Sequence, residues 1–382
     1  MMSESSRGKF DKTRPAIVAA GYNREGALRR LLKSLSEADY EGFGEVTLII
    51  SLDNGGPDGT GEAAEEFRWK AGEKIVIKRP ERLGLKQHML SLGDLTGEYG
   101  SIILLEDDLY VSPFFYHYTS AALEKVKDDP SVGGVSLYDH RFNVFKRLPF
   151  DAVDDGFDNF YLRFPSSWGQ AWNADQWQGF RDWLKAHDGE DLSGNAMPSD
   201  AAAWGESSWL KYALKYSIEE EKDWLYPRIS YTTNFFDQGE HSGGQVSDLQ
   251  VPLSLGNRRD FVFSLPETSS AKYDQYFENR GLPYQADIYG LKRRDGALKK
   301  EEPFYSAEIL NHKVLSRFGL CLRPVDSNIL FNIEGEEIFL YEALKDRENV
   351  GSKGNASLEK YFYPGLNKKK IIKLVRERLH IL

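Results

Sequence analysis

The sequence predicts an α/β protein with a mostly parallel central sheet flanked by helices, followed by a C-terminal extension. Three observations predict it. Short continuous apolar runs alternate with segments of helical period from Ala16 to about His140, the pattern of strands buried on both faces and joined by right-handed crossovers. Polar or turn-forming residues follow each run at once, and ligands of such sheets sit beyond the carboxyl ends of the strands. No apolar run approaches the ~20 residues of a membrane span.

The first run is Ala16-Ile17-Val18-Ala19-Ala20. Leu28, Leu31, Leu32 and Leu35 then recur at helical spacing with Arg29, Arg30 and Lys33 opposite, and Asn23 is placed to cap that helix. A second strand, Val46 to Ser51, ends in Asp53-Asn54-Gly55-Gly56, a strong turn signal. A helix through Ala63, Ala64 and Phe67 leads to a third strand, Lys74-Ile75-Val76-Ile77. A short helix, about Lys86 to Leu92, precedes the fourth strand, Ser101 to Leu105. Seven of the eight tryptophans fall between Trp168 and Trp224, a texture unlike that of the preceding sheet. Ile329 to Leu340 reads as a hairpin about Glu334-Gly335, and Lys368 to Leu382 as a basic amphipathic helix. The expected division is 10–145, an α/β half; 146–255, a Trp-rich half; and 256–382, the extension.

The chain has 382 residues, 41% hydrophobic and 28% charged, which describes an ordinary globular protein. With 49 Lys plus Arg against 59 Asp plus Glu, the formal charge is -10 and a nucleic-acid partner is disfavoured. The single cysteine, Cys321, excludes an intramolecular disulfide and a cysteine zinc site. The first ten residues lack the apolar core of a signal peptide, so the cytoplasm is the expected location. The terminal basic helix can lie on the inner face of an anionic membrane; docking on the protein's own acidic body is the other reading.

Glu106-Asp107-Asp108 carries the most information. Three adjacent carboxylates repel one another unless a cation or donors compensate, and a divalent metal bound to a diphosphate would do so. The bland alternative is an acidic turn capping a helix that starts near Ser112-Pro113. Arg24 and Asp53, at successive strand ends, suit a nucleotide pocket, though each alone reads as a capping or turn residue. Gly56 to Gly61 has phosphate-loop spacing, but Glu62-Ala63 stands where Lys and Ser or Thr are needed. Trp168 and Trp172, in Phe164-Pro165-Ser166-Ser167-Trp168-Gly169-Gln170-Ala171-Trp172, can offer faces to sugar rings or simply fill the core. His88 precedes the acidic strand, and His241 lies in Gln238-Gly239-Glu240-His241-Ser242-Gly243-Gly244.

The run Ile102-Ile103-Leu104-Leu105-Glu106-Asp107-Asp108-Leu109-Tyr110-Val111-Ser112-Pro113-Phe114-Phe115 resembles the glutamate-aspartate-aspartate segment of inverting GT-A (nucleotide-diphospho-sugar transferase fold) glycosyltransferases. The resemblance is to N-acetylglucosaminyltransferase I and bacterial polysaccharide transferases of similar layout. Pro15 to Leu35, Leu48 to Gly55 and Phe164 to Trp177 are similar in the same order, and the likeness fades after residue 250. It implies that Arg24 and Asp53 contact the nucleotide and that His88 reaches toward the diphosphate. Glu106 and Asp107 would hold ribose and sugar hydroxyls, and Asp108 the metal, Mn²⁺ or Mg²⁺. His241 would join the metal shell and Ser242 close over the diphosphate. The catalytic base would be Glu206, three residues before Trp209, with Asp200 in reserve; the family's usual residue is aspartate, and one extra residue follows Trp204. Trp168 and Trp172 would face the acceptor. The expected partners are a nucleotide-sugar donor, a UDP-sugar by preference, and a glycan or lipid-linked acceptor. A sugar-nucleotide nucleotidyltransferase and a non-catalytic carbohydrate-binding protein are the rival readings. The first would need a Gly-rich basic loop where Gly21-Tyr22-Asn23-Arg24 stands, and the second leaves the strand-end carboxylates unexplained.

Overall fold

The computed structural model of the chain describes residues 11–55, 59–187, 189–190, 192, 194, 196–235, 249–344, 352–353 and 357–365. Two compact units divide it: Met1–His140 with Asp154–Gln275, and Arg141–Val153 with Tyr276–Leu382.

The first unit opens with β1 (Ala16–Gly21), buried along its whole length, and α1 (Glu25–Ser36), whose Leu28, Leu31, Leu32 and Leu35 form the buried stripe. Next come β2 (Leu48–Leu52), α2 (Thr60–Glu66), β3 (Lys74–Lys78), α3 (Gly84–Gly93) and the single turn α4 (Thr96–Tyr99). Then follow β4 (Ser101–Glu106), β5 (Leu109–Val111), α5 (Phe115–Val126) and β6 (Val132–Ser136). The short β7 (Phe142–Asn143) and β8 (Leu148–Pro149) pair with each other and belong to the second unit. The first unit resumes with β9 (Asn159–Leu162), β10 (Gln170–Asn173), α6 (Ala174–Ala186), α7 (Ser199–Ala202), α8 (Trp209–Glu219), β11 (Asp223–Pro227), β12 (Thr232–Asn234) and β13 (Lys272–Tyr273).

Among the described residues nine of these strands form one sheet, in the order β13-β9-β11-β6-β10-β4-β1-β2-β3. β4, β1, β2 and β3 run parallel, with Ala20 level with Glu106 and Gly21 with Leu52. β10 lies antiparallel between β4 and β6, so β6 runs in the direction of β4. The Trp-rich segment therefore extends the same sheet, contrary to the expectation from its composition. Five of its seven tryptophans are core, with Trp168 and Trp204 partly exposed: Trp172 and Trp224 are 0% exposed, and their rings meet edge to face at 4.6 Å. A capping box between Asn173 and Gln176 starts α6, and the Ser208 side chain caps α8.

Asn23 does not take the cap position of α1. It adopts a left-handed backbone (φ 54°), which asparagine tolerates, and Arg24 becomes the residue before the helix.

In the second unit β14 (Gln285–Ala286), α9 (Leu291–Asp295), β15 (Phe304–Ser306), β16 (Ile309–Leu310), β17 (Val314–Phe318), α10 (Val325–Leu330), β18 (Ile338–Tyr341), β19 (Ser352–Lys353) and α11 (Ser357–Phe362) follow in order. One sheet has the order β14-β15-β18-β17. The expected hairpin about Glu334-Gly335 is absent, because α10 takes Ile329 and Leu330, residues 331–337 form no strand, and β18 pairs with β15 and β17 instead. Gly335 marks a close backbone approach: a Cβ there would lie 2.3 Å from the Cα of Gly319. The basic segment from Lys368 to Leu382 lies outside the described residues. No helix among the described residues is long and apolar enough to cross a membrane.

Candidate active site

The parallel register puts the ends of β1, β2 and β4 on one edge of the sheet, and with them Arg24, Asp53 and Glu106-Asp107-Asp108. Glu106 ends β4, Asp107 and Asp108 form the turn to β5, and α5 starts only at Phe115 after Phe114. They cap no helix, which removes the bland reading.

Asp107 is 1% exposed. Its Oδ2 accepts the backbone N–H of Tyr22 at 3.1 Å, and its Oδ1 accepts from the Arg24 guanidinium. The same guanidinium donates through its other arm to Asp108 Oδ2 at 3.1 Å. One planar fork thus spans two carboxylates, which suits arginine and not lysine. Burial, with repulsion from Asp108, pushes Glu106 up to about 8, and Arg24 opposes the shift. Burial also raises Asp107 to about 6, again against Arg24. Burial alone would lower the Arg24 guanidinium, but Asp107 and Asp108 reverse that and raise it. The cluster is a crowded anion held together by one internal cation.

Asp53 and His88 each bond to the scaffold. Asp53 accepts the backbone N–H groups of Leu83 (2.8 Å) and Gly84 (2.9 Å), pinning the start of α3 to the end of β2. His88 is buried, with Nε2 2.9 Å from Ser51 Oγ. Burial lowers its pKa from 6.5 to about 4, with Asp53 opposing and Arg79 adding to the fall. The sign follows: the unfolded chain takes up this proton below about 6.5 while the native state waits until about 4. Stability is therefore lost as pH falls through that window, by about 3 kcal/mol from this residue at most. Urea midpoints between pH 7 and 4 should slope less in His88→Gln than in the parent; equal slopes would refute the assignment.

Two stretches that the sequence reading gave no site role, Tyr22 and the end of β6, frame this edge. The Tyr22 ring lies under the Arg82 guanidinium, 4.8 Å from ring centroid to Cζ. It occupies the space a side chain at Gly55 would need, since a Cβ there would sit 2.7 Å from the ring. On the same edge Tyr138-Asp139-His140 follows β6, all three buried. The signal for both was available, as polar residues directly after a strand.

Trp168 is half-buried, edge-on to Tyr138 at 4.8 Å, and keeps the acceptor-facing role open. Trp172 does not keep it. It is 0% exposed, packs on Trp177, Phe180 and Trp224, and its Nε1–H donates to Gln170. A side chain inside a central strand covered on both faces has no route to a soluble sugar.

Glu206 is exposed before α8, with Oε1 accepting from Lys211 Nζ (3.0 Å) and Oε2 from the Tyr212 hydroxyl (2.7 Å). These bonds, Tyr212 first, hold its pKa below the usual carboxylate value. The Tyr212 ring also carries the Lys86 ammonium at 3.4 Å, which links Glu206 to α3. Asp200 is exposed in the first turn of α7. β12 pairs with β5, and the Phe235 N–H donates to the Asp108 carbonyl at 2.9 Å. Phe235 thus lies against the carboxylate turn, and His241 and Ser242 lie outside the described residues.

Residues 16–171 match the model of glycosyl transferase family 2. The match spans Arg24, Asp53, His88 and the three carboxylates, so the stretch that carries the site is similar to a family 2 glycosyl transferase domain. The fold is GT-A, a mostly parallel central sheet flanked by helices, with a C-terminal extension. Similar solved structures include a mannosyltransferase from Pyrobaculum calidifontis in complex with GDP-Man and Mn²⁺ (14% identity over 50% of each chain, TM-score 0.32). They also include S. aureus TarS 1-349 in complex with UDP-GlcNAc (14% identity, 61% of this chain and 62% of that one, TM-score 0.38). A third is GalNAc-T7 with UDP, GalNAc and Mn²⁺ (13% identity, 60% and 45%, TM-score 0.41). The chain spans about half the length of the mannosyltransferase and 36% of the longer TarS chain. No curated protein matches it.

The donor set fits a hard divalent cation, since the turn presents carboxylate oxygens and Arg24 already stands there as a cation. Among the described residues no three His, Cys, Asp or Glu side chains are arranged to hold a metal by themselves. A metal here needs further ligands, and the phosphates of a nucleotide sugar are suited to supply them.

Proposed function

We propose that the chain is a metal-dependent inverting glycosyltransferase acting on a nucleotide-diphosphate sugar. The donor is a UDP-sugar such as UDP-GlcNAc, and the acceptor a glycan or lipid-linked sugar of cell-surface polysaccharide. The single observation that carries this is the Arg24–Asp107–Asp108 cluster at the end of β4, inside the family-matched stretch. The protein would work in the cytoplasm, with its C-terminal segment on the inner membrane face. The likeness to N-acetylglucosaminyltransferase I belongs to this proposal as well. A Gly-rich loop of the nucleotidyltransferase kind has no counterpart after β1, where Arg24 turns onto the carboxylates.

In this reading Asp108 holds the Mn²⁺ or Mg²⁺, with His241 as a further ligand. Held there, such an ion would supply positive charge against the charge that develops on the leaving diphosphate. Glu106 and Asp107 hold ribose and sugar hydroxyls, Asp53 and Arg24 flank the nucleotide, and Ser242 closes over the diphosphate. Glu206 takes the proton of the acceptor hydroxyl as its oxygen bonds to the anomeric carbon and the bond to the diphosphate breaks. Trp168 faces the acceptor. The 146–255 segment serves as the acceptor half, and 256–382 as an extension to it.

The test is a melting-temperature screen against UDP-, GDP- and dTDP-sugars, each with and without Mn²⁺. A UDP-sugar should stabilise the protein most, and only with metal. A screen in which no nucleotide sugar shifts the melting temperature would defeat the reading.

A further inference from the structure

Arg24 holds its two carboxylates unequally. Its bond to Asp107 is internal, because Asp107 is 1% exposed and also fixed by the Tyr22 N–H. Its bond to Asp108 lies at the rim, where the side chains of Arg24 and Asp108 are 24% and 15% exposed. A ligand arriving from solvent meets the Asp108 end first. The left-handed Asn23 directs Arg24 there through the backbone rather than through a flexible loop. A second cation on Asp108 would stand beside a guanidinium that already balances it, and like charges at that separation repel. The repulsion is relieved if Arg24 lets go of Asp108, and a phosphate oxygen can accept from the arm that is freed while the other arm stays on Asp107.

We propose that Arg24 is the resident counter-ion of the carboxylate cluster, released from Asp108 only when metal and diphosphate arrive together. This rests on the donor and metal reading above and adds to it a thermodynamic coupling. Mn²⁺ alone binds weakly because it must displace a cation with nowhere to go. UDP alone binds weakly because Arg24 is held. Each strengthens the other by the same factor.

The experiment is calorimetry on the full chain with Mn²⁺ alone, UDP alone and both, in the parent, Arg24→Gln and Arg24→Lys. In the parent, Mn²⁺ should tighten UDP at least about tenfold. In Arg24→Gln, Mn²⁺ alone should bind about tenfold tighter than in the parent, and the coupling factor should shrink to the part that the phosphates supply as metal ligands. Arg24→Lys, a point charge without the fork, should lie between. Mn²⁺ affinity that is unchanged or weaker in Arg24→Gln, with parent coupling intact, overturns the counter-ion role and leaves the metal reading standing. A parent whose UDP affinity ignores Mn²⁺ overturns both. If Arg24→Gln fails to fold, because buried Asp107 loses its cation, Arg24→Lys decides. Mn²⁺ affinity equal to the parent's would then overturn the proposal.

Discussion

Replacing Asp108 by asparagine is expected to abolish the Mn²⁺ dependence of UDP binding and to lower transfer by about 10²–10³, with little change in stability. The contrast follows from where Asp108 sits. It lies at the rim of the cluster, with its side chain 15% exposed, and Arg24 keeps Asp107 as a counter-ion when the bond to Asp108 weakens. Asparagine keeps the shape and an oxygen for the Arg24 N–H. It also removes one of the charges that push Glu106 upward, so the crowded turn loses repulsion along with attraction. What asparagine lacks is the anionic oxygen a hard cation needs. Calorimetry of UDP with and without Mn²⁺, beside a thermal melt, separates the two effects. A variant whose UDP affinity still responds to Mn²⁺ as the parent's does would remove Asp108 from the metal site.

The legible part of the site was its location. Buried parallel strands read as unbroken apolar runs, so Ala16–Gly21, Leu48–Leu52 and Ser101–Glu106 announced themselves, and their ends located Arg24, Asp53 and the carboxylates. What each side chain binds was not legible, because its partner lies far along the chain. Asp53 takes N–H groups about 30 residues on, and Arg24 takes carboxylates more than 80 residues on. Nor does composition tell a sugar-stacking tryptophan from a packing one. Trp168 and Trp172 sit four residues apart, and only the insertion of β10 between β4 and β6 buries the second. The hairpin about Glu334-Gly335 failed for a related reason: the turn residues are real, but they mark contact with Gly319, not a strand reversal.

Glu206→Gln is expected to bind UDP and Mn²⁺ normally yet lose about 10²–10⁴ in transfer rate, the usual cost of removing a positioned base. Its surroundings give the variant a clean interpretation. Glu206 is exposed, and hydrogen bonds from Tyr212 and Lys211 keep it ionised at neutral pH. A base must be ionised and reachable, and those bonds fix its direction, but they also stabilise the anion and make it a weaker proton acceptor. The acceptor hydroxyl would have to displace one of them, and Tyr212, already drawn toward Lys86, is the partner better placed to turn away. Lys211 cannot retreat, since its side chain is 8% exposed and Glu206 is its salt-bridge partner. That pairing supplies the rival explanation, in which Glu206 serves only as the counter-ion of a buried ammonium. Glutamine keeps an oxygen for Lys211 while discarding the base, so a rate loss without a fall in melting temperature marks chemistry. A rate loss that tracks a lower melting temperature marks structure. Asp200→Asn, exposed on α7, should leave kcat unchanged. Near-normal turnover in Glu206→Gln, or a collapse in Asp200→Asn, would move the base away from Glu206.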